Sequence, residues 1–109
     1  MGIEKRAHVR FEARLRVELE IEGATLTAYT RDLSLGGMFL QVPRGFPVTF
    51  GQALTARVYF PALAAPAPVR CVVRWSTATG VGVAFEVLRA AETWAINQLA
   101  VYYSPQARP

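Results

Sequence analysis

Residues 11–22 read "FEARLRVELEIE", and their alternation decides the fold. Phe11, Ala13, Leu15, Val17, Leu19 and Ile21 fall on one face. Glu12, Arg14, Arg16, Glu18, Glu20 and Glu22 fall on the other. A period of two is that of a β-strand with one buried and one wet face. Gly23-Ala24 turns the chain, and "TLTAYTR" (25–31) returns as a second strand paired with the first.

The pattern continues outward. "MFLQV" (38–42), "LTARVYF" (54–60), "VRCVVRWS" (69–76) and "VGVAFEV" (81–87) read as four further strands. In the fifth, Val69, Cys71, Val73 and Trp75 share one face, which places Cys71 and Trp75 in the core. Gly82 and Ala84 leave little bulk on the second face of the sixth, so another element is expected to pack closely there. "PRGFPVTFGQ" (43–52) and "PALAAPAP" (61–68) are Pro-punctuated connections. In the loop 43–52, Phe46 and Phe50 suit either an anchor into the barrel or a partner surface. From residue 89 the two-residue period gives way to helical spacing through Ala91, Ala95, Leu99 and Tyr102, ending at Ser104-Pro105. The expected fold is all-β: a six-stranded antiparallel β-barrel with a C-terminal α-helix. Residues 1–10 form a basic arm, 11–103 the barrel and helix, and 104–109 a tail.

Composition narrows the function. The chain has 109 residues, 52% of them hydrophobic, which suits one folded domain. No apolar run approaches the ~20 residues of a helical membrane span. The charged N-terminus lacks the apolar segment of a signal peptide, so a cytoplasmic location is expected. One cysteine and one histidine exclude an internal disulfide and metal sites built on several Cys or His. No nucleophile–base pair and no glycine-rich phosphate loop can be assigned, which argues against an enzyme. The net charge is +4, and eleven of the twelve basic residues are Arg, the side chain suited to phosphate and to guanine edges.

Two short stretches stand out. "KRAHVR" (5–10) precedes strand one, and "DLSLGG" (32–37) follows strand two. Arg6 and Arg10 share a side whether the arm is helical or extended. Antiparallel pairing sets the start of strand one beside the end of strand two. Two Arg therefore come next to Asp32, the only aspartate, an exposed Ser34, and Gly36-Gly37. Arg grips phosphate, a carboxylate and a hydroxyl can meet the edge of guanine, and glycine lets the backbone approach closely. Plain phosphate binding would not need Asp32, which would repel it.

Arg6-Ala7-His8-Val9-Arg10, followed about twenty residues later by Asp32-Leu33-Ser34-Leu35-Gly36-Gly37, resembles the R-x-x-x-R and D/N-x-S-x-x-G signature of PilZ domains, bacterial receptors for cyclic di-GMP. "VVRW" and "GVGVAF" within 72–85 look like the paired late strands of that family, and the likeness spans nearly the whole chain. The resemblance implies that Arg6 and Arg10 hold the ligand's phosphates and guanines, that Asp32 and Ser34 hydrogen-bond a guanine, and that Gly37 admits a tight backbone. Gly36 is a secondary candidate. So is Lys5, because the family often carries Arg there and Lys leaves the count of ligands per domain open. It also implies no cofactor, an effector protein as partner, a monomer or homodimer, and a role in motility, pili, exopolysaccharide, virulence or development. Two other readings are a PilZ-fold adaptor that binds protein and not nucleotide, and a small basic barrel that binds nucleic acid. The second would use Arg57, Arg70 and Arg74 as a track with Tyr59 and Trp75 as stacking rings. The core-facing position expected for Trp75 and the Glu interleaved on strand one argue against it.

Overall fold

The structure is a computed structural model, described over residues 10–103. Seven strands are present: β1 (Phe11–Glu12), β2 (Arg16–Ile21), β3 (Ala24–Leu33), β4 (Gly37–Gln41), β5 (Ala53–Val58), β6 (Ala67–Ser76) and β7 (Gly80–Phe85). One helix, α1 (Ala90–Tyr103), follows. The sheet runs β1-β3-β2-β5-β6-β7-β4, all antiparallel, and β4 pairs back onto β3. Strands β2 to β7 thus close a six-stranded barrel, with β1 as a short addition beside β3.

β1 and β2 are the long alternating stretch, interrupted once. The apolar set stays inside throughout, from Phe11 to Ile21. The ladder slips between them, because Glu12 pairs with Asp32 and Arg16 with Tyr29. Four steps on one strand therefore match three on the other. The side chain of Thr30, fully buried, fills the gap by accepting from Leu15 N at 2.8 Å and donating to Ala13 O. Without it, a buried N–H and a buried C=O would lose a partner, at a cost of about 1–3 kcal/mol each.

The hairpin turn falls one residue earlier than the sequence suggests. Ile21 pairs with Ala24, leaving Glu22-Gly23 as a two-residue loop with φ of 50° and 83°. Two positive φ values belong to the primed turn that matches the twist of the flanking strands.

Helix α1 buries Ala95, Ile96 and Leu99 against the barrel. Ala91 is exposed, and Glu92 takes the buried place in the first turn. Its carboxylate accepts from the backbone N–H of Arg89 at 2.8 Å and from the Arg89 guanidinium. That is the N3-to-N-cap half of a capping box. The hydrogen bonds from Arg89 hold the Glu92 carboxyl below its ordinary pKa. Cys71 is fully buried, and burial pushes its thiol up to about 12, so it is a core residue. In the loop 43–52 the two phenylalanines divide. Phe46 packs on the core, while Phe50 is exposed.

Candidate ligand-binding site

Strict alternation sends every second side chain outward. Two departures from it build one wall of the barrel. In β3 the pairing with β4 shifts between Thr30 and Asp32, so that Arg31 and Asp32 together oppose Phe39. In β6 the pairing with β7 shifts between Val73 and Trp75, so that Arg74 and Trp75 together oppose Gly82. Each is a bulge, which places two consecutive residues on the same side and re-aims them. Between the bulges Phe39 pairs with Gly82. A single rung therefore crosses five strands on the outer face: Glu12, Asp32, Phe39, Gly82, Trp75.

The β6 bulge overturns the core-facing position expected for Trp75. The indole is 46% exposed and lies on the backbone of Gly82, where a Cβ would collide with the ring. The close packing expected over Gly82 is this ring, which comes from the neighbouring strand. Phe39 uses Gly80 in the same way, its ring filling the space a Cβ would take. The two glycines of "GVGV" are thus seats for two aromatic rings.

Asp32 stands at the centre of the charge on this wall. Arg10 Nε donates to its Oδ1 at 3.0 Å, and Arg31 Nε donates to its Oδ2 at 3.1 Å. The first bond joins the two motifs, as antiparallel pairing of β1 with β3 predicts. The carboxylate keeps about two of its roughly four acceptor positions for another donor. The trio of Arg10, Arg31 and Asp32 carries a net positive charge, with Glu12 opposite Asp32 on the same rung. Arg31 also lies over Phe39, its guanidinium carbon 4.0 Å from the ring centre.

The remaining motif residues build the turn between β3 and β4. Ser34, expected from the sequence to be exposed, is instead buried, 3% accessible. Its hydroxyl accepts from Gly36 N at 3.0 Å, and its own N–H donates to Gly37 O at 2.8 Å. Phe85 N donates to Gly36 O, which ties the turn to β7. Gly37 is extended and needs no unusual dihedral. A Cβ there would collide with the Val83 carbonyl, so close approach of β7 is what requires glycine. Lys5, Arg6 and His8 lie outside the described residues, as do the tail 104–109 and all of the arm except Arg10.

Of the residues of the nucleic-acid reading, Arg70, Arg74 and Trp75 are exposed, and two are already engaged. Arg16 covers the Tyr59 ring, and Arg57 is paired with Glu20. Among the described residues no group of three His, Cys, Asp or Glu could hold a metal ion. No helix there is long and apolar enough to cross a membrane.

The described residues thus form a closed six-stranded antiparallel barrel with a terminal helix, carrying Arg and Asp together on a bulged outer wall. The family model described as PilZ domain matches residues 4–102, and the chain belongs to this family. PilZ domains are receptor and adaptor domains. No curated protein sequence matches the chain. Among solved structures it resembles the Bacillus subtilis inhibitor of motility MotI/DgrA, with a TM-score of 0.82 and 19% identity over 98% of this chain and 55% of that one. It also resembles the PilZ domain of YcgR from Escherichia coli with c-di-GMP, with a TM-score of 0.74 and 13% identity over 96% of this chain and 95% of that one. The PlzA protein of Borreliella burgdorferi, in complex with c-di-GMP, matches with a TM-score of 0.64 and 18% identity over 88% of this chain and 41% of that one. The chain thus spans about half of MotI and nearly all of the YcgR domain.

Proposed function

We propose that this protein is a cytoplasmic bacterial receptor for cyclic di-GMP that passes the signal to a protein partner. The observation that carries this reading is the 3.0 Å bond from Arg10 to Asp32, which unites the two halves of the family signature at one point on the outer wall. A guanine edge presents an N1–H and an amino group, and the free acceptor positions of Asp32 suit them. Arg10 and Arg6 supply charge-assisted bonds to the phosphodiesters. Ser34 acts through the turn that its hydroxyl closes, and Gly36 and Gly37 bring that turn against β7. Trp75, on the same rung, offers a ring for stacking. Residues 1–10 close over the ligand and order on binding, and the composite surface engages the effector. Lys5, lacking the planar fork of Arg, decides whether one ligand or a stacked pair is held.

Calorimetric titration with cyclic di-GMP tests this, with GTP and cyclic di-AMP as controls. Saturable binding selective for the cyclic guanine dinucleotide is expected, and its stoichiometry reads the Lys5 question. Arg10→Ala removes bonds worth about 1.5–3 kcal/mol and should weaken binding about 10- to 150-fold with the melting temperature little changed. An Arg10→Ala protein that binds like wild type would place the site elsewhere. No binding by the wild type would leave the adaptor that works through protein contacts alone as the standing reading.

A further inference from the structure

We propose that Arg31, which belongs to neither motif, binds the ligand directly: its guanidinium, laid on Phe39, is a shelf on which one guanine stacks. The inference rests on the receptor reading above and deepens it.

Four observations converge on this residue. The β3 bulge turns Arg31 outward beside Asp32, where regular alternation would have sent one of the two inward. Its guanidinium is held twice, by the Phe39 ring at 4.0 Å and by the 3.1 Å bond to Asp32. Phe39 is 3% exposed whereas the Arg31 side chain is 53% exposed, so the ring below is covered and the upper face of the guanidinium is open. An open concavity of about 360 Å³, lined by Glu12, Ala13, Arg14, Thr30, Arg31 and Gln41, adjoins it.

The chemistry follows from the planarity of the guanidinium. It stacks on rings through either face, and a group already fixed on one side loses little freedom when a base covers the other. A guanine in that place has its amino edge beside Asp32, so one base is held by its face and its edge at once. Two other arginines lie over rings, Arg14 on Tyr29 and Arg16 on Tyr59. Neither has a bond to Asp32, and Arg16 is paired with its own Glu18.

The test compares wild type, Arg31→Ala and Arg31→Lys in titrations with cyclic di-GMP. Heat and guanine ultraviolet absorbance are both followed, since stacking lowers the absorbance. Thermal melts confirm that each variant is folded. Arg31→Ala should bind about 10-fold or more weakly, the range for losing one base-stacking partner. Arg31→Lys keeps the charge without the plane and should lose most of the same affinity and most of the absorbance decrease. Affinity of Arg31→Ala within twofold of wild type, or above it, overturns the shelf while leaving the receptor reading intact. Full rescue by Lys also overturns it, because charge alone would then suffice. Wild type that fails to bind cyclic di-GMP removes both the receptor reading and the shelf.

Discussion

The barrel has two outer walls made of the same residue types, and they behave differently. On the β2–β5 wall the register is unbroken. Glu18 lies opposite Arg57, Arg16 bonds Glu18, and Arg57 bonds Glu20. Each guanidinium has a carboxylate of its own. On the β3–β4–β7–β6 wall two bulges break the register, and two arginines share Asp32. Regular alternation with mixed charges gives a solvated surface. One extra residue in a strand is enough to double the outward side chains at one rung and leave positive charge and ring faces free. The site is therefore made by a change in register more than by a change in composition.

The comparison breaks most readily at Gly37. A Cβ at this position meets the Val83 carbonyl, which is backbone and cannot swing aside. Gly37→Ala should separate β4 from β7 and cost about 3 kcal/mol or more, lowering the melting temperature by more than ~12 °C. A melt within a few degrees of wild type would show that the bulged wall tolerates strain that the geometry denies it. Gly82 sharpens the same point. The Cβ added by Gly82→Ala meets only the Trp75 ring, which is half exposed and can move outward. Stability should fall by about 1 kcal/mol or less, while cyclic di-GMP affinity falls several-fold as the ring leaves the rung. Equal losses of stability in the two glycine variants would mean that Trp75 holds the barrel together and is not a platform.

The division between the walls also marks what could be read from the sequence. Strand one, its buried face and the return of strand two were legible, because period-two patterning over many residues has one physical solution. The nearness of Arg10 to Asp32 followed from antiparallel pairing alone. The bulges were not legible. "VRCVVRWS" alternates without a flaw as far as Trp75, and the extra residue at Arg74 exists only because β6 pairs with β7 in a shifted register. Arg31 passed unnoticed for the same reason, since a bulge carries no residue type of its own. Gly80 and Gly82 were the available signal. Two glycines on the outward face of a strand ask what lies over them, and the answer is Phe39 and Trp75. The burial of Ser34 was not legible either, because a hydroxyl beside a Gly pair reads as exposed until the turn it closes is known.

The smallest effect is expected on the regular wall, and it is the control for everything said of the other. Glu20 and Arg57 are both partly exposed and form a single ion pair on the solvent side of the barrel. Such pairs contribute about 0.2–1 kcal/mol, because water screens the attraction and two long side chains lose freedom in making it. Glu20→Ala should therefore shift the melting temperature by a few degrees at most, and less at high salt. Its effect on cyclic di-GMP binding should be nil, although it raises the net charge of the chain by one, as Asp32→Ala does. If binding depended on overall positive charge, Glu20→Ala would strengthen it as much as any other loss of a carboxylate. If it depends on the arrangement made by the bulges, Glu20→Ala leaves it unchanged, and Asp32→Ala weakens it despite adding the same charge. The pair of variants separates electrostatic attraction from geometry, with the same unit of charge removed from each wall.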